Sequence, residues 1–312
     1  MLSRVCLPFA LLLLAACSST AVYWGSTPQY VRNHLAAADE LMERGDIEAA
    51  RERYDAIAET GQPEALISAG RAWLEEPEAD NERATAYFEA AWNRKSKRRN
   101  QAGRYLARSI ADDDPERAID ILETVAGRGE RYASGQLAKL LIEHHPDDPR
   151  IEGLLRQAGK EGDTTALLTL TRTYEDDAAL RRAVALLLEK SAAGDASAAN
   201  RLARVYGPKG PQPDPELYLA WLRRAAERGE TNAMLNYGRA LIKGEIVTRD
   251  PNRGIAWVRR AAIADDHWAQ LELGKRLTRG DDVDRDFKQG QMWLEKAAAQ
   301  GNEKAERVLA EL

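Results

Sequence analysis

The chain is almost without cysteine. Of its 312 residues only Cys6 and Cys17 are cysteines, and both lie within the first seventeen positions. The rest of the chain therefore has no thiol for a disulfide, a cysteine-ligated zinc site or a thiolate nucleophile. It also lacks a GxSxG nucleophile elbow, a phosphate-binding loop and a GxGxxG fingerprint. We expect no catalytic residue, cofactor, metal or small-molecule substrate.

The chain also lacks a net positive charge and has few aromatic residues. The chain has 45 Lys and Arg against 50 Asp and Glu, a net charge of −5, and only three Phe. Nucleic-acid binding requires a basic face to neutralise phosphates, so the charge balance argues against a nucleic-acid partner. With 44% hydrophobic residues the chain can nevertheless bury a core, one filled mainly by Ala and Leu.

The N-terminal stretch MLSRVCLPFALLLLAACSST has the layout of a secretory signal peptide. One positive charge, Arg4, precedes an apolar run that ends at Ala16 and is too short for a permanent membrane span. We assign residues 1–16 to this signal peptide and residues 17–30 to a polar tether.

The residues Leu14-Ala15-Ala16-Cys17 resemble the lipobox of bacterial lipoproteins. The resemblance implies that Cys17 is lipidated and anchors the chain to a membrane. It also implies an outer-membrane location facing the periplasm, because Ser18 rather than Asp follows the cysteine. An ordinary signal peptide with an accidental cysteine is the alternative.

A repeat dominates the remaining sequence. Trp221, Trp257 and Trp293 are separated by 36 residues each time, a period typical of repeat proteins. An alanine recurs with a similar step, and we call these positions the reference alanines: Ala65, Ala102, Ala133, Ala166, Ala198, Ala233, Ala269 and Ala305. A glycine stands four residues before six of them and predicts the end of the preceding helix.

Each repeat is predicted to be a hairpin of two helices, A and B. Apolar spacing after the reference alanine predicts helix A, while Ala220-Trp221-Leu222 begins the apolar face of a helix B. Gly238 and Gly274 are expected at the close contact of the two helices. Packing between repeats is assigned to Ala198, Ala233, Gly238, Ala269, Gly274, Ala305, Trp221, Trp257 and Trp293.

The pattern A-x-x-x-[LY]-G-x-x-[LY]-x-x-G, followed by a second helix with W-[LV]-x-x-A-A, resembles the Sel1-like branch of the tetratricopeptide superfamily. The resemblance implies an all-α, right-handed superhelical solenoid of about eight stacked helix hairpins over residues 31–312. It also implies a non-catalytic scaffold for protein partners.

The stretch LMERGDIEAARERYDAIAETGQPEALISAGRAWL is similar to the first repeat of the AlgK family of lipoproteins, which scaffold alginate export. That resemblance implies envelope partners, namely an outer-membrane β-barrel exporter and polymer-synthesis subunits. The alternatives are a Sel1-like adaptor of another envelope machine, such as a peptidoglycan enzyme or a secretion system, and an unusual polysaccharide-modifying enzyme without a recognisable catalytic constellation.

Two local features invite a binding role. The basic run Arg94, Lys95, Lys97, Arg98 and Arg99 could contact a polyanion or a partner, or form an exposed interhelical turn. The pair His144 and His145, next to Glu143, invites a metal site, but adjacent ligands on a proline-containing turn point poorly at one ion. We therefore interpret the histidine pair as part of a solvated turn.

Overall fold

The computed structural model describes residues 27–75 and 79–312. The predicted signal peptide, Cys17 and most of the tether lie outside these residues. The chain divides into two compact units, Met1–Ile110 and Ala111–Leu312. Throughout the described part the regular structure is α-helical and comprises seventeen helices. The all-α prediction is therefore confirmed.

In the first unit, each helix packs on the next one along the chain. The helices of this unit are α1 (Gln29–Glu43), α2 (Ile47–Ala58), α3 (Pro63–Ala72), α4 (Asn81–Trp92) and α5 (Arg99–Ile110).

The second unit repeats the same neighbour-to-neighbour packing. Its helices are α6 (Pro115–Gly127), α7 (Ala133–His144), α8 (Ile151–Lys160), α9 (Thr164–Tyr174), α10 (Asp177–Ala192), α11 (Ala196–Tyr206), α12 (Pro215–Glu227), α13 (Thr231–Lys243), α14 (Pro251–Ile263), α15 (His267–Arg279), α16 (Phe287–Ala299) and α17 (Glu303–Ala310). Odd-numbered helices from α3 onward carry the reference alanines and are the predicted A helices.

Aspartates start many of these helices. The carboxylate of Asp250, for example, accepts the backbone N–H of Arg253, and Pro251 follows as the first helical residue. The acidic clusters around Asp114 and Asp176 supply the same N-cap to α6 and α10. Each such cap contributes about 1 kcal/mol to helix stability, which explains why the acidic residues gather in the links.

Left-handed residues end the helices. The glycines four residues before a reference alanine all have positive φ: Gly61, Gly129, Gly162, Gly194, Gly229 and Gly301. Where the glycine is replaced, Asp265 adopts the same conformation with φ 67°. Gly244 and Gly280 likewise cap the C-termini of α13 and α15 with positive φ.

The reference alanines form the centre of the packing. All eight are buried, with at most 3% of their surface exposed. Beside them, α13 and α14 approach so closely that a methyl group on Gly238 would lie 2.7 Å from the Gly254 carbonyl oxygen. Gly274 and Gly290 bring α15 and α16 together in the same way, since a methyl on Gly274 would lie 2.9 Å from the Gly290 oxygen. Only glycine permits this backbone approach.

A polar hub stabilises the first unit. Asp55 accepts hydrogen bonds from Trp73 Nε1 at 2.8 Å, Arg83 at 2.7 Å and the Tyr87 hydroxyl at 2.7 Å. Burial, together with the bond to Asp55, raises the pKa of Tyr87 to about 12. Arg51 and Arg83 also stack on Trp73, with guanidinium carbons 4.7 and 4.1 Å from the ring centroid. The hub joins α2 to α4 through polar contacts.

Candidate binding cleft

A basic residue occupies the same position on seven successive A helices. It stands six residues after the reference alanine and directly follows the small or polar residue of the A–B contact. Every one of these side chains is exposed or half-buried. We call them the basic ladder: Arg71, Arg108, Lys139, Arg172, Arg204, Arg239 and Lys275.

Two ladder residues of the second unit share an open cleft. Helices α9 and α11 and the loop 207–214 enclose a volume of about 600 Å³. Its cations are Arg172, Arg201, Arg204 and Lys209, and we call this site the basic cleft. The other lining residues are neutral: Thr165, Leu168, Thr169, Thr171, Val205, Gly210 and Pro211.

Local sequence explains how the loop closes one side of this cleft. Helix α11 ends at Tyr206, and the following Gly207 accepts the backbone N–H of Gly210 at 2.9 Å. A methyl group on Gly210 would lie 2.1 Å from the Val205 carbonyl oxygen, so no other residue fits there. This tight fold places Lys209 and Pro211 at the edge of the cleft.

The positive charge in the basic cleft is not neutralised within the described residues. Arg201 donates to the hydroxyl oxygens of Thr164 at 3.1 Å and Thr165 at 2.8 Å, which position the guanidinium but carry no charge. In the same described segments no carboxylate comes within ion-pair distance of Arg172, Arg204 or Lys209. Four like charges therefore converge without a counter-charge.

A smaller cavity of about 260 Å³ adjoins the basic cleft through Thr165 and Arg201. Asp163 and Asp195 line it, but both carboxylates are engaged as N-caps of α9 and α11. Their hydrogen bonds to backbone N–H groups leave them turned to the helix starts. The two acids consequently do not pair with the arginines of the basic cleft.

The next ladder arginine, Arg239, has its charge neutralised by a carboxylate. Glu272 of α15 accepts from Arg239 of α13 at 3.3 Å and from Arg276 at 2.9 Å. Burial opposes ionisation of Glu272, but the two arginines together outweigh it and lower the pKa of its carboxyl. Arg276 also reaches Asp282, which pairs with Arg249 at 2.5 Å. A continuous chain of alternating charges covers this region.

The three tryptophans of the repeat occupy equivalent sequence positions but are buried to different extents. Trp293 is 8% exposed, but Trp221 and Trp257 are only half-buried. One part of each ring packs against neighbouring helices, while a cation three residues later covers another part. These cations are Arg224 at 5.5 Å, Arg260 at 4.8 Å and Lys296 at 4.9 Å from the ring centroids.

The basic run forms the turn between α4 and α5, away from the basic cleft residues in sequence. Arg98 pairs with Glu64 at 3.5 Å. Arg99 donates to the Trp92 carbonyl oxygen at 3.0 Å and lies 4.6 Å from the ring centroid of Trp92. Arg94, Lys95 and Lys97 are exposed. A polyanion contact at this run stays a prediction.

The histidine pair lies where the turn was expected. His144 ends α7, and the His145 side chain pairs with Glu116 at 2.8 Å. Among residues 27–75 and 79–312 no group of three or more potential metal ligands comes together. The described helices also include none long and apolar enough to cross a bilayer.

The basic ladder and the basic cleft were missed by reasoning from the sequence alone. The ladder is nevertheless visible in the sequence, because a Lys or Arg stands six residues after seven of the eight reference alanines. The cleft itself depends on which residue occupies the position three after the alanine. That position is Thr169 in α9 and Arg201 in α11 but Glu272 in α15.

Comparison with known proteins identifies the repeat. Residues 196–230, 231–266 and 269–302 each match the Sel1 repeat family. The chain is a Sel1-like repeat protein. Such proteins are generally protein-interaction scaffolds, and their fold is typically non-catalytic. No curated protein matches the chain.

Solved structures resemble the chain as well. A protective antigen of uropathogenic Escherichia coli with an SLR fold is 22% identical, with 83% of this chain and 60% of that chain covered and a TM-score of 0.51. This likeness supports the repeat fold; the chain spans 60% of the antigen's length. A Sel1 repeat protein from Oxalobacter formigenes is 38% identical over 40% of this chain and 96% of that chain, with a TM-score of 0.38.

Proposed function

We propose that this Sel1-like protein is a lipid-anchored scaffold at the periplasmic face of the outer membrane, where it holds partner proteins of an envelope machine together. The observation that supports the scaffold role is the basic cleft on the A helices, an open site lined by four cations and by neutral side chains. A site of this composition suits binding of a partner rather than bond cleavage.

The membrane location rests on the sequence Leu14-Ala15-Ala16-Cys17 and on Ser18 after it. Its test is metabolic labelling with a radioactive fatty acid. The wild-type chain should incorporate label and fractionate with the outer membrane, whereas Cys17→Ser should do neither. Label retained in the Cys17→Ser variant would remove the anchor from the proposal.

The favoured machine is an exopolysaccharide-export complex of the alginate type. Support comes from the similarity of the first hairpin sequence to the scaffold lipoproteins of alginate export, together with the lipobox. The partners would then be an outer-membrane β-barrel exporter and polymer-synthesis subunits. A peptidoglycan enzyme or a secretion system is the second candidate, since a Sel1-like scaffold would serve either one equally well.

Covalent cross-linking in intact cells, followed by affinity purification and mass spectrometry, separates these candidates. Recovery of a β-barrel together with polymer-synthesis subunits would support the export scaffold. Recovery of cell-wall enzymes or secretion components would keep the scaffold and reject the export assignment. A deletion strain that secretes normal amounts of polymer would also reject it.

A further inference from the structure

We propose that the basic cleft binds an extended acidic segment of a partner protein, one in which carboxylate side chains alternate with apolar ones. This inference rests on the scaffold function proposed above and specifies the chemistry of the partner. The charge and the lining of the site select this occupant.

The charge of the basic cleft complements an acidic ligand. Arg172, Arg201, Arg204 and Lys209 line one cleft on a protein whose net charge is −5. Their convergence raises the free energy of the unliganded protein, because like charges at short range repel each other. A ligand with carboxylates relieves this repulsion and gains charge-assisted hydrogen bonds, which are bidentate where the donor is a guanidinium. Acidic ligands are therefore selected over neutral ones.

The neutral part of the lining favours an extended peptide. Leu168, Val205 and Pro211 supply apolar surface beside the cations, while Thr165 and Thr169 supply hydroxyls. Side chains of an extended peptide alternate in direction, so one set can face the cations while the other covers the apolar surface. The lining of this cleft contains no aromatic ring of the kind on which sugar rings commonly stack. An acidic protein segment fits this lining better than an acidic polysaccharide.

Another repeat of the same protein shows how a ladder arginine is neutralised. On α13 the ladder residue Arg239 has an internal carboxylate, Glu272, which stands three residues after the reference alanine of α15. The corresponding carboxylate for Arg204 would come from position 236, which is asparagine, and that for Arg172 from position 201, which is arginine. Arg239 thus shows how a carboxylate satisfies a ladder arginine, and for Arg172 and Arg204 in the cleft a ligand would supply that carboxylate.

The test uses the purified full chain and fluorescence anisotropy. The probe is a fluorescein-labelled ten-residue peptide in which glutamate alternates with leucine, valine and proline. A second peptide carries glutamine in place of every glutamate. We expect saturable binding of the glutamate peptide that weakens as salt is added, and at least ~10-fold weaker binding of the glutamine peptide.

Two protein variants locate the binding. Arg172→Glu with Arg204→Glu should weaken the glutamate peptide at least ~10-fold. Arg71→Glu with Arg108→Glu makes the same charge change at the same repeat position outside the cleft, and should leave the affinity within about 2-fold. Asn236→Glu keeps every arginine but adds the internal carboxylate for Arg204, and should also weaken the peptide. Circular dichroism of each variant reports whether its helices are retained.

Equal losses in the two double variants would overturn the proposal, because binding would then follow net charge alone. So would binding of an oligouronate, used as a competitor, to the wild-type cleft in preference to the glutamate peptide. Cell cross-linking of the Arg172→Glu, Arg204→Glu variant separates this failure from failure of the scaffold. Partners still recovered with that variant would refute the cleft assignment and leave the scaffold intact.

Discussion

The A helices α9 and α11 and the A helix α13 carry an arginine at the same repeat position, but the charge of this arginine is neutralised only in α13. Arg239 is paired by Glu272, whereas no carboxylate within the described chain pairs Arg172 or Arg204. The backbone position is therefore a constant of the repeat, while compensation depends on a single residue in the following A helix. If the cleft binds as proposed, the site arises where one carboxylate of the repeat is left out.

The middle and the C-terminal repeats also differ in helix contact. Five residues after the reference alanine stand Gly238 and Gly274 in the C-terminal repeats, but Thr171 and Ala203 in the middle ones. Gly238 meets the Gly254 backbone, whereas the Thr171 hydroxyl donates to the Leu167 carbonyl oxygen within its own helix at 3.0 Å. Close glycine contacts and paired charges occur together in the C-terminal repeats.

The largest effect is expected when Gly238 of a C-terminal repeat is replaced by threonine, the residue found at the equivalent position Thr171 of a middle repeat. Gly238→Thr would force the new side chain into the Gly254 carbonyl and the Val258 side chain, and we expect a loss of about 3 kcal/mol in the free energy of unfolding. Urea unfolding followed by circular dichroism and tryptophan fluorescence measures it. Thr171→Ala is the control and should cost about 1 kcal/mol, mainly its hydroxyl bond. A harmless Gly238→Thr would show that the helices can separate freely.

Removing the compensating carboxylate should have the next largest effect. Glu272→Gln leaves Arg239 and Arg276 without their carboxylate partner and should cost about 1–2 kcal/mol at neutral pH. Because the pKa of Glu272 is lowered in the folded protein, its contribution is fully present above the unfolded pKa of about 4.3 and is lost as the pH falls through the folded pKa.

The stability difference between wild type and Glu272→Gln should accordingly shrink as the pH is lowered below about 4.3. Urea midpoints measured at several pH values check this. Arg307→Gln at the exposed pair with Glu303 is a matched control and should change stability by less than about 0.5 kcal/mol. A pH-independent difference would mean that Glu272 acts through packing rather than through charge.

A smaller gain is expected from adding the missing carboxylate. Asn236→Glu places it where Glu272 stands in the following repeat, and it should stabilise the protein by about 0.5 kcal/mol through Arg204. Raising the salt concentration should reduce the gain. Combining Asn236→Glu with Arg204→Gln provides the control. A gain that survives in this double variant would not come from the new ion pair.

The smallest effect is expected from removing one unpaired cation. Arg204→Gln removes the charge but keeps a polar side chain, relieves repulsion in the basic cleft and should raise stability by about 0.3 kcal/mol at low salt. Thermal unfolding at two salt concentrations would show it. The equivalent change Arg239→Gln should instead destabilise the protein, since it breaks the pair with Glu272. The same sign for both substitutions would abolish the distinction between the two regions.

Much of the fold is predictable from the sequence because its signals are local. The reference alanines, the glycines before them and the link Asp250-Pro251 each act through backbone geometry within a few residues. They predicted the helix ends and the buried positions correctly. The start of α1 at Gln29 lies two residues before the predicted solenoid boundary, within the usual uncertainty of helix ends.

The site was less predictable because it depends on pairs of residues about 30 positions apart. Whether a ladder arginine is neutralised is decided by the next A helix, as Arg239 and Glu272 show. The exposure of Trp221 and Trp257 has a similar origin, since the equivalent Trp293 is buried within a hydrophobic cluster of its own surroundings. A periodic pattern identifies equivalent positions but not the surroundings that distinguish them.

The packing of each helix on its chain neighbours also shapes how the protein is made. Side-chain hydrogen bonds between neighbouring repeats join positions about one repeat apart, such as Arg201 and Thr164, which are 37 residues apart. Contacts of such short range close small loops, so the entropy lost in forming them is modest and folding is fast. A chain that emerges N-terminus first can fold one hairpin, and the next hairpin can then pack against it. Assembly of the solenoid need not wait for its last residue.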